Sequence, residues 1–262
     1  MDDSNGSSRY DRQVATLAAD TSLFSGREDG RVHVLGHRGA PAPGIPENSV
    51  AAVTEALDQG ADGVEVDVWL TADGQLVCAH DLDTAGREPL ATLTEVLAAA
   101  QDPAGFRVVV EAKPVADAAV ALATADALAE VLAVSAGRAD ITISSFDPTL
   151  LAMIRRACAD LPVRTALLGG KADPAAAIVR QAHEAGHDEV HLPLIAVRRA
   201  PEAVESAREL GLLVALWTVN HRSDLRWAAE LGVDAVITDE VLVAWSELDV
   251  AADQAEGLAL AA

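Results

Sequence analysis

Between residues 63 and 81 the chain reads GVEVDVWLTADGQLVCAHD. In its first half, valines alternate with the carboxylates Glu65 and Asp67, which is the two-residue period of a β-strand. The pair Asp73-Gly74 that follows favours a two-residue turn between antiparallel strands. The stretch therefore predicts a strand over 63–70 and a hairpin whose return arm covers 75–79.

Outward from this hairpin, short β-branched runs alternate with longer alanine-rich helical segments. Strands are predicted at 32–35, 63–70, 107–112, 140–144, 163–168, 189–192, 212–218 and 235–238. Helices are predicted at 49–59, 93–100, 116–136, 148–159, 174–185, 201–210, 223–231 and 241–250, with Asn48 placed to cap the first. Eight strand–helix units in 262 residues predict an α/β protein, a (β/α)₈ barrel of the TIM type with a small β-hairpin after strand 2.

An open, doubly wound sheet is the rival fold. No Gly-x-Gly-x-x-Gly motif follows the first predicted strand and no Walker-type loop occurs, which disfavours the nucleotide-binding versions of that fold. We expect three segments in the chain: a flexible or loosely docked N-terminal extension over 1–31, the barrel over 32–252, and a C-terminal tail over 253–262.

The chain is strongly acidic, with 41 Asp and Glu against 19 Lys and Arg and a formal charge of −22. Because this charge repels phosphate polymers, no nucleic-acid partner is expected. No integral membrane segment is expected either, since no run of about 18 apolar residues occurs. The two cysteines, Cys78 and Cys158, lack metal-site spacing and are expected to be buried thiols. These features favour a cytoplasmic location and leave the oligomeric state undetermined.

Polar residues concentrate where the predicted strands end, and barrel enzymes carry their sites at that face. His37 and Arg38 end the first strand between glycines, a composition that suits a phosphate site, although a histidine that only braces the loop fits equally well. Glu65 and Asp67 share one face of the second strand, where a divalent cation would relieve their repulsion. An acidic face turned to solvent is the alternative.

The hairpin and the next strand extend this group. A two-residue turn would place Asp67 opposite His80, whereas a longer or bulged turn would leave His80 in a loop. Glu111 and Lys113 share a face of their strand, and they suit a third cation ligand and a phosphoryl contact, or else a plain salt bridge. Trp217 either stacks on a ligand or packs the barrel mouth.

Three histidines, His183, His187 and His191, are spaced four residues apart. Gly186 ends the predicted helix between them, so a metal-binding helix face is not expected.

In order along the chain, these motifs resemble the signature of the glycerophosphodiester phosphodiesterase family. They are His37-Arg38-Gly39, Pro46-Glu47-Asn48-Ser49, Gly63 to Val68, Leu70 to Gly74, His80-Asp81, Glu111 to Pro114, Ser144 to Asp147, Leu216 to Asn220 and Gly232 to Asp239. The resemblance implies a TIM-type barrel, a divalent cation (magnesium or calcium, or else manganese), and hydrolysis of a small-molecule glycerophosphodiester to glycerol 3-phosphate and an alcohol.

The resemblance also implies roles for individual residues. Glu65, Asp67 and Glu111 would bind the metal, with Glu47 as a supporting ligand or hydrogen-bond partner. His37 and His80 would form the acid–base pair, and Arg38 and Lys113 would balance charge on the phosphoryl oxygens. Trp217 is a candidate substrate contact from its strand-end position alone. Which histidine is the acid, and whether water attacks directly or a glycerol hydroxyl attacks first, stays open.

One departure from the family is the short loop over residues 82–90, which puts the head-group specificity in doubt. Two other functions therefore remain under consideration. The first is a lysophospholipase D-type or other phosphodiesterase on the same barrel. The second is a barrel that binds phosphorylated metabolites without turnover.

Overall fold

A computed structural model of the chain describes residues 31–82, 90–100, 105–135 and 140–248. The strands are β1 (His33–His37), β2 (Gly63–Leu70), β3 (Leu76–Cys78), β4 (Arg107–Ala112), β5 (Asp140–Ser145), β6 (Arg164–Leu168), β7 (Glu189–Pro193), β8 (Leu213–Trp217) and β9 (Ala235–Thr238). The helices are α1 (Val50–Asp58), α2 (Leu93–Ala99), α3 (Ala118–Ser135), α4 (Pro148–Ala157), α5 (Ala175–Ala185), α6 (Leu194–Arg199), α7 (Glu202–Glu209), α8 (Arg222–Leu231) and α9 (241–248).

Eight parallel strands close into a barrel. β4 to β9 follow one another in the sheet, β2 pairs with β4, and β1 pairs with both β2 and β9. Helices connect the strands, so the predicted (β/α)₈ barrel is confirmed. Helix α6 was not predicted, because its apolar residues follow Pro193 and the β7 strand without an intervening turn signal.

The hairpin after β2 is present, but its predicted register is wrong by one residue. Leu70 pairs with Leu76 and Val68 with Cys78, and the Ala79 amide donates to the Asp67 carbonyl at 3.0 Å. Asp67 therefore lies opposite Ala79 rather than His80. The cause is a three-residue turn that ends in Gly74, whose φ of +83° is readily available only to glycine.

Apolar side chains fill most of the interior. One cluster lies between the sheet and the helices, and a smaller one inside the barrel comprises Leu35, Val109, Ala215, Ala235 and Ile237. A polar network shares the barrel interior with this smaller cluster.

Glu189, which is 1% exposed, is at the centre of that network. Its carboxylate forms ion pairs with Arg107 and with Arg164 Nε (2.6 Å), and it accepts hydrogen bonds from Thr142 Oγ1 (3.0 Å) and His191 Nε2 (3.1 Å). These partners outweigh the effect of burial and hold the pKa of Glu189 far below its ordinary value. The network makes this carboxylate a permanent buried anion.

Glu189→Gln is expected to lower the free energy of unfolding by about 3–5 kcal/mol, because it takes the carboxylate partner from the buried Arg107 and leaves the buried Arg164 with Asp140 alone. The folded-state pKa of Glu189 is depressed, so its contribution to the free energy of unfolding is present above pH 4.5, the unfolded-state pKa. This contribution is lost as the pH falls below 4.5 toward the folded-state pKa. Urea unfolding at pH 7 and at pH 4 measures both effects. Glu205→Gln breaks an exposed ion pair with Arg208 and should cost less than about 1 kcal/mol.

If the two substitutions cost the same at pH 7, the buried network does not stabilise the barrel as inferred.

Helix α3 is the one helix within the described ranges that has the length and composition of a membrane span, with a mean hydropathy of 1.7 over 18 residues. Leu128 and Leu132 on this helix are fully buried in the main apolar cluster. Because helices that pack on a protein core share this composition, the finding is weak support for a membrane span.

Parts of the predicted domain division fall outside the described residues. They are residues 1–30 of the extension, residues 83–89, 101–104, 136–139 and 249–252 of the predicted barrel, and the tail over 253–262. The division into extension, barrel and tail stays a prediction.

Candidate active site

The carboxyl ends of the barrel strands surround a cavity of about 570 Å³. Eight of the nine predicted site residues line it: His37, Arg38, Glu65, Asp67, His80, Glu111, Lys113 and Trp217. The ninth, Glu47, does not. The cavity thus brings together residues that come from five different strands or the segments that follow them.

Three buried carboxylates lie side by side on β2 and β4. Asp67 is aligned with Glu111 across the two strands, and Glu65 is two residues earlier on the same face of β2. One oxygen of each can be chosen so that all three lie within 4.8 Å of one another. The two-residue period of the strands places all three inside the barrel rather than in solvent.

Burial and mutual repulsion raise the pKa values of these carboxyl groups, and nearby hydrogen-bond donors and cations lower them. Desolvation, with the charges of Asp67 and Glu111, raises the pKa of Glu65 well above its ordinary value, and desolvation also raises the pKa of Glu111. Burial alone would raise the pKa of Asp67 as well, but Lys113, Asn48 and Arg38 together hold it below its ordinary value. If all three carboxyl groups were ionised, they would outnumber the two cations beside them, Lys113 and Arg38.

Lys113 and Arg38 supply the positive charge in the cluster. Lys113 Nζ lies 2.5 Å from Asp67 Oδ1 and 2.7 Å from Glu111 Oε1, and these carboxylates keep its pKa raised in spite of burial. Arg38 donates its backbone amide to Glu65 Oε2 at 3.1 Å, and its Nε lies 3.3 Å from Asp67 Oδ2. Its backbone has a left-handed φ of 58°, a conformation that is uncommon for non-glycine residues.

Glu47 has the second of its two expected positions, as a hydrogen-bond partner, whereas Asn48 differs from expectation. Glu47 pairs with Arg38, with both carboxylate oxygens 2.9–3.0 Å from Nη1, and it is outside the three-carboxylate group. Asn48 does not cap α1, because Ser49 is the cap residue. Asn48 instead donates to Asp67 Oδ2 and accepts from the Asp67 amide, both at 2.8 Å, and so holds the Asp67 side chain in place.

His37 and His80 are each held through Nδ1 by an aspartate. His37 Nδ1 lies 2.6 Å from Asp239 Oδ1, and His80 Nδ1 lies 2.9 Å from Asp81 Oδ2. The hydrogen bond with His37 keeps the pKa of Asp239 below its ordinary value, and Asn220 donates to the second oxygen at 2.6 Å. An aspartate on Nδ1 leaves Nε2 of each ring available to a ligand.

Asp239 was not among the predicted site residues. The available signal was its position directly after β9, the last strand, where a polar residue reaches the same barrel face.

The remaining side of the cavity is more apolar. The Trp217 and Phe146 rings meet edge to face with centroids 5.7 Å apart, and Lys171 Nζ lies 5.9 Å from the Trp217 ring. His191 lines the cavity, whereas His183 is exposed on α5, so these histidines form no metal cluster within the described residues.

The Glycerophosphoryl diester phosphodiesterase family matches this chain over residues 37–88 and 84–243. A glycerophosphodiester phosphodiesterase of Caldanaerobacter subterraneus subsp. tengcongensis is 27% identical over 238 residues, which are 79% of this chain and 93% of that protein. A probable glycerophosphodiester phosphodiesterase 1 of Mycobacterium tuberculosis is 31% identical over 245 residues, or 78% of this chain and 88% of that protein.

A phosphodiesterase of Oleispira antarctica, solved in complex with the product sn-glycerol-3-phosphate, has the same fold. It superposes with a TM-score of 0.71 at 22% identity and covers 84% of this chain and 97% of its own. The fold, the family match and the curated relatives agree with the resemblance seen in the motifs. The chain therefore belongs to the glycerophosphoryl diester phosphodiesterase family and is a phosphoric diester hydrolase.

Proposed function

We propose that the chain hydrolyses glycerophosphodiesters to glycerol 3-phosphate and an alcohol, with His37 and His80 as the acid–base pair and a divalent cation held by three carboxylates. The observation that carries the proposal is the presence of both histidines and the three buried carboxylates on one cavity. The product bound by the Oleispira antarctica relative supports the substrate class.

The cluster of Glu65, Asp67 and Glu111 fits a hard divalent cation. It offers only oxygen donors, and the pKa values of Glu65 and Glu111 are raised by burial first and by the neighbouring carboxylates second, so a cation would stabilise the ionised form of both groups. When bound there, magnesium, calcium or manganese supplies Lewis-acid stabilisation of the phosphoryl charge. Glu47 contributes indirectly, by orienting Arg38.

The residues of the chain supply the proton transfers. The Nε2 atoms of His37 and His80 are free of the aspartates that hold Nδ1, so one ring can accept a proton from the attacking oxygen while the other donates one to the leaving alkoxide. Arg38 and Lys113 balance charge on the phosphoryl oxygens, and Trp217 contacts the substrate on the apolar side. Both histidines have equivalent supports, so this geometry is compatible with either assignment.

A cytoplasmic location is part of the proposal. Cys78 and Cys158 are free, buried thiols, as expected from the sequence, and burial raises the pKa of Cys78 to about 12. Unpaired cysteines are typical of a reducing compartment.

The test is the release of glycerol 3-phosphate from a panel of glycerophosphodiesters with calcium, magnesium or manganese, and then with excess chelator. We expect release with at least one cation and none with the chelator. Release that persists in the chelator would remove the cation from the mechanism. Cleavage of lysophosphatidylcholine alone would favour the lysophospholipase D-type function, and binding of glycerol 3-phosphate without any turnover would favour a non-catalytic barrel.

A further inference from the structure

Several buried polar atoms in the cavity have no hydrogen-bond partner. Six such side-chain atoms occur within the described residues, and four belong to residues that line the cavity: Arg38 Nε, Ser144 Oγ, His191 Nδ1 and Trp217 Nε1. Arg38 Nε still faces the Asp67 carboxylate. A buried polar atom without a partner costs free energy unless a ligand or water satisfies it.

His191 is completely buried, and its hydrogen bond to Glu189 determines which ring nitrogen carries the hydrogen. The Glu189 carboxylate can only accept, so His191 Nε2 carries the hydrogen of their 3.1 Å contact. In a neutral ring this makes Nδ1 an acceptor, and burial, which lowers the pKa of His191, keeps the ring neutral. Since Arg107 and Arg164 hold Glu189, the tautomer is set by the barrel itself.

Ser144 is 1% exposed and lies beside the carboxylates proposed to bind the cation, because it is aligned with Glu111 across β4 and β5. Its hydroxyl can both donate and accept a hydrogen bond. In the same cavity, the Ser144 hydroxyl can donate one hydrogen bond and accept others, and His191 Nδ1 can only accept. An aliphatic hydroxyl, which also donates and accepts, complements such a pair, whereas an aryl group does not.

We propose that Ser144 and His191 form a hydroxyl-binding pair that selects substrates with a glycerol moiety over phosphodiesters without free hydroxyls. The proposal deepens the proposed function and rests on it for the identity of the reaction. Glu189 acts as a positioning residue for His191.

The test compares two substrates, sn-glycero-3-phosphocholine and bis(4-nitrophenyl) phosphate, in four variants with the cation supplied. Ser144→Ala should lower the ratio of kcat/KM between the first and second substrate by about tenfold, mainly through KM, because one hydroxyl contact is lost. His191→Gln should lower the ratio similarly, since the Gln amide can reach Glu189 while Nδ1 is removed. His191→Asn, which places an amide near the Nδ1 position, should lose less.

His187→Gln is the matched control. His187 is also buried, bonds Thr165 Oγ1 through Nδ1 and has an unpartnered Nε2, but it does not line the cavity. This variant should keep the wild-type ratio. Ser144→Ala removes a hydroxyl that has no partner, so its thermal midpoint should match that of the wild type and keep the test informative if a His191 variant unfolds.

A ratio unchanged in Ser144→Ala and in every folded His191 variant overturns the inference, as does an equal loss in His187→Gln. Calorimetric binding of sn-glycerol 3-phosphate separates this result from failure of the proposed function. If the wild type does not turn over glycerophosphodiesters but Ser144→Ala still weakens this binding about tenfold, the reaction is wrong and the hydroxyl-binding pair stands.

Discussion

Replacing His37 by Ala is expected to lower kcat for glycerophosphodiester hydrolysis by about 10²–10⁴-fold, because a positioned acid or base contributes a factor of that size. KM should change much less, since the phosphoryl contacts proposed for Arg38 and Lys113 remain. Steady-state kinetics at pH 7 with saturating cation measures the loss. His80→Ala should show a loss of the same order.

His183→Ala is the control for these substitutions, because His183 is exposed on α5 and does not line the cavity. Its kcat should equal that of the wild type. Asp239→Asn should lower kcat by less than His37→Ala does, since it loosens the ring without removing it. A His37→Ala enzyme within twofold of the wild type would show that this histidine transfers no proton.

The leaving group distinguishes the two histidines. A 4-nitrophenolate leaves without protonation, so the variant that lacks the general acid should recover most of its activity on a 4-nitrophenyl ester of glycerol phosphate. The variant that lacks the base should stay slow on this substrate. Equal recovery in both variants would contradict the division of roles between His37 and His80.

The parts of the site that follow strand periodicity could be predicted from the sequence. Glu65, Asp67 and Glu111 alternate with apolar residues, and parallel strands end at one face of a barrel, so their meeting depends only on the fold. The same reasoning placed Lys113 beside them. The barrel itself followed from repeated strand and helix patterns, whose positions the structure reproduces with small shifts.

Turn geometry and long-range side-chain pairing were harder to predict. The hairpin register depended on whether Gly74 occupied the second position of a two-residue turn or the last position of a three-residue turn, and the Asp-Gly pair fits both. The position of Asn48 just before a predicted helix was already explained by a capping role, so no other contact was sought for it. Its contact with Asp67 and the contact of Asp239 with His37, 202 residues apart, depend on how the closed barrel aligns its ends.

Glu65→Gln is expected to separate cation binding from folding. In the cation-free protein the pKa of Glu65 is raised well above 4.5. Its contribution to the free energy of unfolding is therefore fully present below pH 4.5, the unfolded-state pKa, and is lost as the pH rises through the folded-state pKa. Glutamine resembles the protonated acid and can still accept from the Arg38 amide. In chelator, the thermal midpoint of the variant should therefore match that of the wild type at about pH 4 and exceed it at about pH 8.

The same substitution removes a proposed cation ligand. Because the proposed cation stabilises the transition state by several kcal/mol, activity should fall by more than about a hundredfold. In the wild type, calcium, magnesium or manganese at about 100 times its Kd should add about 2.7 kcal/mol to the free energy of unfolding, and this gain should be largely lost in Glu65→Gln. Glu184→Gln, an exposed change on α5, should keep both the gain and the activity. Thermal melts with and without cation provide the comparison, and a Glu65→Gln protein that keeps the full cation-dependent gain would show that the cation binds elsewhere.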